Sequence, residues 1–272
     1  MGEIGVIVSL IGAMALAADA QAIQTGRASH WTLQADPGLC VLERRNTEPP
    51  VTLSIRTLPG SDDYRVAIAT PALEKLVSFA PATLTFAPSQ KAWNGRANVV
   101  KLPDGMRVIW MEGIPPGSLD DLSNADTVTI ATKSGESASV KIAGGAKAVE
   151  ALRRCNADQL IDWGADPGQF APRGTMPVAV KDRDVWLSKS QLLGVMGKSG
   201  RSDVDAVFRV AVSPDGMIDD CRSLSDKTGK GVEKAVCDAV LKKPFFTAAK
   251  DPGGQSVRGV ATFRILLASR PW

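Results

Sequence analysis

The residues in this 272-residue chain best suited to covalent chemistry are four cysteines: Cys40, Cys155, Cys221 and Cys237. None belongs to a Cys-x-x-Cys pair, so the close paired spacings that thiolate zinc sites require are missing. The only histidine, His30, cannot complete such a site. The cysteine pattern therefore favours two disulfides formed in an oxidising compartment over a metal site.

Four cysteines permit three connectivities, and sequence alone does not prove one of them. Cys221 and Cys237 lie in one short predicted supersecondary unit, which leaves Cys40 to pair with Cys155. We predict this pairing because each bridge then closes a loop inside one folding unit. In chain-entropy terms the short loop contributes about 3 kcal/mol to stability and the long loop about 5 kcal/mol.

Catalytic constellations are poorly represented. A Ser-His-Asp or Cys-His site would have to use His30, which stands beside Trp31, and no Gly-x-Ser-x-Gly or Ser-x-x-Lys motif occurs. Neighbouring residues of a strand point to opposite faces, and aspartates in turns satisfy the backbone, so adjacent acids make poor dyads. The adjacent acidic pairs are Asp62-Asp63, Asp120-Asp121 and Asp219-Asp220. We predict no catalytic residue, no cofactor and no enzyme, with a hydrolase built on acidic residues alone as the enzymatic alternative.

The N-terminus has the pattern of an export signal. Residues 4–18 are almost wholly apolar and precede two small-x-small sites, Ala18-Asp19-Ala20 and Ala20-Gln21-Ala22. The apolar stretch is shorter than the roughly 20 residues that a spanning helix needs. We predict a cleaved signal peptide over residues 1–22 and a periplasmic location. The first residues depart from the signal pattern, because they carry Glu3 and no base. An uncleaved membrane anchor and a buried helix remain alternatives.

Residues 23–163 predict a β-rich domain that ends in a helix. Short runs of Val, Ile, Thr and Leu recur between turn clusters such as Pro103-Asp104-Gly105, which is typical of a sandwich or a small barrel. Gly144-Gly145 opens a predicted helix from Ala146 to Arg154. Cys155 follows this helix, so a bridge to Cys40 would tie the helix to a strand.

Residues 164–180 are rich in glycine and proline and predict an interdomain linker. Basic and acidic side chains balance at 16 and 16 over residues 23–180, whereas residues 181–272 carry 16 and 11, so the last segment holds the whole surplus of 16 − 11 = +5. This surplus suits anionic lipid, peptidoglycan or an acidic partner segment, although solvated lysines are its commonest cause. Nothing interleaves aromatic and basic residues as nucleic-acid binding requires, so we expect no nucleic-acid partner.

The C-terminal segment reads as strand, Ser213-Pro214-Asp215-Gly216 turn, strand with Cys221, helix with Cys237, and a final strand after a Phe245-Phe246 loop. Over residues 181–272 this order resembles the C-terminal domain of TonB-like energy transducers. The residues that carry the resemblance are Phe208-Arg209-Val210, Asp215-Gly216-Met217-Ile218, Cys221, Ser225, Cys237, Phe245-Phe246-Thr247-Ala248-Ala249 and Gly254. The resemblance implies a TonB-like two-layer α/β module with an antiparallel sheet, and hence an α+β chain. The linker is far shorter than the proline-rich spacer of typical TonB proteins, which counts against a full energy transducer.

The resemblance also implies a binding mode, in which an extended segment of an envelope protein or outer-membrane transporter adds beside the final strand. On Val257–Leu267 the residues opposite Phe263 and Ile265 would meet this partner, and the two arginines would favour an acidic peptide. The predicted partner-binding residues are Arg258, Val260, Thr262, Arg264 and Leu266. Two alternatives remain: an envelope scaffolding protein that reuses the fold, and a strand that is merely the last of its sheet, with its arginines guarding the edge.

Overall fold

The computed structural model describes residues 30–61, 64–225 and 227–268. It is 45% strand and 22% helix, and all of the strand pairs described are antiparallel. The predicted α+β class is therefore wrong, and the chain is mostly antiparallel β, because apolar alternation with a period of two governs most of it. The predicted signal peptide, residues 1–22, and the pair Asp62-Asp63 lie outside the described residues.

The first region, residues 30–163, is built on one nine-stranded sheet that curls into a half-barrel. This replaces the predicted sandwich or small barrel. The spatial order of its strands is β1-β2-β3-β4-β7-β6-β5-β8-β9. Their bounds are β1 His30–Asp36, β2 Leu39–Thr47, β3 Pro50–Thr57, β4 Tyr64–Thr70, β5 Val77–Ala87, β6 Lys91–Lys101, β7 Arg107–Ile114, β8 Thr127–Thr132 and β9 Ser137–Lys141.

One face of this sheet forms the core of the first region. In β4, Val66 and Ile68 are buried whereas the intervening Ala67 is only half-buried, because successive side chains of a strand point to opposite faces. Two helices, α1 (Ser118–Ser123) and α2 (Gly145–Asp162), pack buried residues such as Leu122 and Leu152 into the same core. We call the opposite, partly exposed face of the sheet the outer face.

The open side of the half-barrel is tied by side chains rather than by strand pairing. Trp31 Nε1 and Arg44 Nη1 both donate to the carbonyl oxygen of Ala143, at 2.7 and 3.0 Å. Asn46 Nδ2 donates to the carbonyl oxygen of Lys141 at 3.0 Å. These bonds hold the β1–β2 end of the sheet against the end of β9. Since they satisfy single carbonyls and not a ladder, the sheet approaches closure without becoming a barrel.

The segment predicted as a linker, residues 164–180, packs along the second half of the chain. The amide of Asp166 donates to the carbonyl of Arg258 at 2.9 Å, and Thr175 and Lys250 exchange two backbone hydrogen bonds. Gln169 is buried in this arrangement. We therefore describe residues 164–268 together as the second region, while the independence of the two regions as domains stays a prediction.

The second region holds a three-stranded antiparallel sheet of order β12-β11-β16 and two short two-stranded ribbons, β10-β13 and β14-β15. Its helices are α3 (Lys189–Ser199) and α4 (Lys230–Val240). A chain that is mostly antiparallel β and dominated by the nine-stranded half-barrel sheet does not support the expected TonB-like α/β module. The strands are β10 Val178–Ala179, β11 Asp203–Val212, β12 Ile218–Ser223, β13 Phe246–Thr247, β14 Ala249–Lys250, β15 Ser256–Val257 and β16 Gly259–Ala268.

A helix and an aromatic cluster cover one face of this sheet. The buried stripe of α4 consists of Val232, Val236 and Val240, as the helical spacing of these valines predicts. Trp186 stacks on Phe245 with ring centroids 4.9 Å apart. It also makes edge contacts with the rings of Phe246 and Phe263.

Both predicted disulfides are present. Cys40–Cys155 joins β2 to α2 with Cα atoms 6.2 Å apart, and Cys221–Cys237 joins β12 to α4 with Cα atoms 5.4 Å apart. Two disulfides indicate an oxidising environment, extracellular or periplasmic. In the part of the chain that the structure describes, no helix is both long and apolar enough to cross a membrane.

A candidate binding cleft between the two regions

A cleft of about 710 Å³ lies where the two regions meet, a volume typical of ligand-binding clefts. The ends of β3, β4 and β7 form one wall, which carries Arg56, Tyr64, Arg65 and Glu112. Strands β11 and β16 of the second region form the other side. That side carries Asp205, Val207, Thr262 and Arg264.

The β3–β4 loop seals one end of this cleft against β16. The amide of Thr262 donates to the carbonyl of Gly60 at 3.0 Å. Gly60 has a φ of +79°, and a Cβ atom at this position would lie 3.0 Å from the Cα atom of Ala261. A larger residue would therefore force the loop away from the strand. Glycine is required here both for the backbone conformation and for the close approach.

The Gly60 contact also shows which backbone groups of β16 face outward. Thr262 pairs with Arg209 of β11, yet its amide bonds to Gly60 on the other side. In an antiparallel strand every second residue directs its amide and carbonyl the same way. The amides of Arg264 and Leu266 therefore point away from β11. Among the described residues no strand pairs with β16 on this side, which we call the outer edge of β16.

Charge in the cleft is predominantly positive. Five bases line it, Arg56, Arg65, Arg183, Lys227 and Arg264, against two acids, Glu112 and Asp205, which leaves 5 − 2 = +3. Such a surplus inside a concave, partly desolvated surface attracts anionic groups more strongly than scattered surface charge does.

An ion-pair network joins the two sides of the cleft. Arg264 donates two hydrogen bonds of 2.7 Å to Asp205, from Nε to Oδ1 and from Nη2 to Oδ2. Arg264 Nη1 also lies 3.8 Å from Glu112 Oε1, and Glu112 accepts a hydrogen bond from Arg65. The hydrogen bonds from Arg264 hold the pKa of Asp205 below its usual value, against the opposing effect of burial. Arginines thus already engage both acids of the cleft.

Tyr64 supplies the cleft with a neutral hydroxyl. Burial raises the pKa of this tyrosine, which keeps the phenol protonated at neutral pH. Its oxygen accepts a 3.4 Å hydrogen bond from Asn156 Nδ2. Among the described residues that line the cleft there is neither a histidine nor a cysteine, and the described residues hold no cluster of metal-ligating side chains. The groups present are suited to holding an anionic, hydrogen-bonding chain.

The structure brings only part of the predicted binding set together. Thr262 and Arg264 line the cleft, and Leu266 stands beyond it on β16 with 53% of its surface exposed. Val260, in contrast, is 1% exposed and packs with Leu160 at the end of the first region and with Ala165 at the start of the second. Arg258 lies before β16 and forms a two-bonded ion pair with Asp219, at 2.5 and 3.0 Å.

Sequence reasoning missed the residues that the first region contributes. Arg56, Arg65 and Glu112 belong to three different strands, and no local motif marks them. A register prediction for the nine-stranded sheet would have been needed to place them side by side. In the structure β3 pairs with β4 and β4 pairs with β7, which aligns these residues near one end of the sheet.

The residues considered for catalysis do not gather at this site. His30 begins β1 and does not line the cleft. The described acidic pairs are held singly by bases: Asp120 by Arg153, Asp121 by Lys91, Asp219 by Arg258 and Asp220 by Arg222. Asp121 also accepts a hydrogen bond of 2.9 Å from Trp93 Nε1. Each of these acids therefore has a structural partner.

A second, smaller hollow of about 330 Å³ lies on the outer face of the first sheet. It shares Arg56 and Arg65 with the cleft, and Ala67, Ala69 and Trp110 form part of its lining. The hollow exists because the small side chains of Ala67 and Ala69 leave space beside the larger side chain of Trp110.

No family model matches this chain, and no curated protein matches it significantly. The resemblance of residues 181–272 to TonB C-terminal domains therefore stays a prediction that rests on the quoted residues.

Proposed function

We propose that this chain is a non-enzymatic binding protein of the periplasm that accepts an extended acidic segment of an envelope protein along the outer edge of β16. An outer-membrane transporter is the partner that the sequence resemblance implies. The observation that carries the proposal is an edge strand bordering a cleft with a surplus of three positive charges. Strand addition requires such an edge, and an acidic segment requires such a charge.

The main chain of β16 provides the first half of the recognition. Beyond Thr262, the outward amides of Arg264 and Leu266 and the carbonyls of the same residues can continue the sheet with an incoming strand. The Gly60 loop occupies the edge at Thr262, so the added strand ends there. The stretch available for pairing is Arg264–Ala268.

Side chains provide the second half. An incoming strand alternates its side chains between the two faces of the sheet. On the face shared with Asp205 and Arg264, acidic side chains meet Arg65 and the other bases of the cleft. On the opposite face, apolar side chains continue the surface of Phe263 and Ile265. The partner segment is therefore expected to alternate acidic and apolar residues.

The role of the main-chain hydrogen bonds in recognition is tested with the variant Leu266→Pro. Leu266→Pro removes an amide that points away from β11, so the β11–β16 ladder keeps its hydrogen bonds. We expect at least roughly tenfold weaker binding of a fluorescent peptide of alternating Glu and Val, measured by anisotropy, since one main-chain bond and the approach of the strand are lost. Leu266→Ala, which keeps the amide, is the matched control and should bind nearly as well as the parent.

The charge half is tested with the same peptide in which Lys replaces Glu. This peptide should bind far more weakly, and rising salt should weaken binding of the Glu peptide. The proposal fails if Leu266→Pro unfolds at the same urea concentration as the parent and still binds the Glu peptide undiminished. It also fails if the Glu and Lys peptides bind equally well.

A further inference from the structure

The start of β5 displays an aromatic side chain that gains no burial from its position. The register of β5 with β6 shifts between Val77 and Ala80, so Ser78 and Phe79 together oppose Asn98 alone. This is a β-bulge, an arrangement that re-aims side chains. Phe79 has a φ of 52°, a left-handed conformation that is uncommon for bulky residues, and its side chain is 65% exposed.

Two side chains of β6 hold Phe79 in this conformation. Asn98 Oδ1 accepts a hydrogen bond from the amide of Phe79 at 2.9 Å, and Arg96 Nη1 donates to its carbonyl at 3.0 Å. The Arg96 guanidinium also lies 4.7 Å from the centre of the phenylalanine ring. Both backbone groups that the bulge removes from the ladder are therefore satisfied. The outward position of the ring is fixed by its neighbours.

Phe79 has exposed apolar neighbours. Leu76, three residues earlier, is 66% exposed. Val100 follows Val99, the partner of Val77 in the register of β5 with β6, and is also exposed. Neither Leu76 nor Phe79 lines the cleft or the smaller hollow. We call Leu76, Phe79 and Val100 the apolar tip. Exposed apolar groups concentrated in one place mark interaction surfaces more often than singly scattered ones do.

The apolar tip is flanked by bases. Lys75 precedes Leu76, Arg96 lies over Phe79, and Lys101 follows Val100. In the described part of the chain none of these three bases forms a salt bridge. Glu74 is the adjacent acid, so this small surface carries 3 − 1 = +2.

We propose that the apolar tip docks on an anionic lipid surface. Apolar side chains that project from a basic surface enter the boundary between headgroups and acyl chains, while the bases remain at the phosphates. A protein partner would need a pocket shaped for the projecting side chains. A lipid surface needs only the projection and the charge, which the bulge and its flanking bases provide.

The test measures how much of the mature chain, from which any signal peptide has been removed, floats with vesicles. The vesicles are made of equal parts phosphatidylglycerol and phosphatidylcholine. Phe79→Asn removes the ring while retaining a residue that adopts positive φ readily, so the fold is expected to keep its stability. We expect at least roughly tenfold weaker vesicle binding, because one buried aromatic side chain is lost from the interface. Leu76→Ser should weaken binding similarly, and Lys75→Gln or Lys101→Gln by about fivefold each.

Leu193→Ser is the matched control, because Leu193 lies on α3 and its side chain is also 65% exposed. This variant should bind the vesicles as the parent does. All variants share the same N-terminus, so any contribution of that segment cancels from the comparison. Vesicles of phosphatidylcholine alone should bind the parent much more weakly.

The proposal is overturned if a folded Phe79→Asn protein binds the mixed vesicles undiminished, or if Leu193→Ser weakens binding as much. Equal binding to neutral and mixed vesicles would remove the anionic requirement and overturn it as well. If the apolar tip binds an envelope protein and the chain binds no vesicles, the tip is a site for a protein partner and the lipid proposal is overturned.

Discussion

The two regions bury the faces of their sheets differently. In the first region one face of the curled sheet encloses the core, and the outer face remains partly open to solvent. In the second region the three-stranded sheet is covered by the aromatic cluster and α4 on one face. On the other face Val260 and Thr262 are 1% and 0% exposed, where the first region meets them.

This contrast indicates that the second region depends on the first. A three-stranded sheet with one covered face exposes an apolar row unless another layer covers it. Here the end of α2 and the Gly60 loop are that layer. The first region therefore stabilises β16, and it also decides which part of its outer edge is left for a partner. Four sets of variants test this dependence, in order of decreasing expected change in stability.

The two disulfides should stabilise the regions unequally. Cys40–Cys155 spans 115 positions and Cys221–Cys237 spans 16. Replacing both cysteines of the long bridge by alanine should cost about 5 kcal/mol of unfolding free energy, and those of the short bridge about 3 kcal/mol. Urea unfolding of the two double variants measures both values. Removal of the short bridge could instead cost more unfolding free energy than removal of the long one. The second region would then depend on its disulfide for a reason other than the sheet face that the first region covers.

Leu160→Ala should loosen the contact between the regions. Leu160 is buried at the end of α2 and packs with Val260, so its truncation should cost about 2–4 kcal/mol. Cleavage by a protease within residues 164–180 should become faster, because this segment loses part of its support. Leu193→Ala, on an exposed leucine, should change neither measurement. Unchanged proteolysis in a destabilised Leu160→Ala protein would contradict the dependence of the second region on the first.

Gly60→Ala should weaken the seal between the loop and β16. The variant meets both an unfavourable φ and the backbone of Ala261, so we expect a loss of about 1–3 kcal/mol. Gly105→Ala is the matched control, since Gly105 has a φ of +88° but no atom within 4 Å of the added Cβ. Comparing the thermal unfolding of both variants separates the cost of the close approach to Ala261 from the cost of the positive φ. Equal losses would mean that the close approach contributes nothing.

The Arg264–Asp205 pair should give the smallest effect, with a defined pH dependence. The pKa of Asp205 is lowered in the folded chain, so the pair stabilises the fold above the unfolded pKa of about 3.9, and this contribution is lost as the pH falls through the folded pKa. Because Asp205 is 49% exposed, screening limits the contribution to under about 1 kcal/mol. Asp205→Asn should therefore be slightly less stable than the parent at pH 7, and the difference should vanish in strong acid. A constant difference across pH would assign it to packing.

Local pattern was enough to predict several parts of this fold. The valine stripe of α4 and the alternation of Phe208 with its neighbours indicated the right elements, because periodicities of 3.6 and 2 are properties of consecutive residues. The class and the first-region architecture were predicted wrongly. A series of short strands does not show whether its sheet closes, doubles or curls, since this depends on register and twist across strands.

The predicted binding set shows the same limit at the scale of single residues. Alternation along β16 correctly put Val260, Thr262, Arg264 and Leu266 on one face, but it treated that face as open. Burial by a distant layer divides the set: Val260 and Thr262 are covered, whereas Leu266 is exposed. Exposure of a strand face is a property of what packs against it.

The sequence contains the four cysteines and allowed their pairing to be predicted, although it could not prove one of the three connectivities. It also shows which face of each main strand is apolar, because alternation depends only on neighbouring residues. Only the tertiary structure decided that Gly60 would end the outer edge of β16. It also placed Arg65 and Glu112 of the first region beside Arg264 of the second. These residues are far apart along the chain, so strand register and the packing of two regions bring them together, and no local pattern encodes that approach.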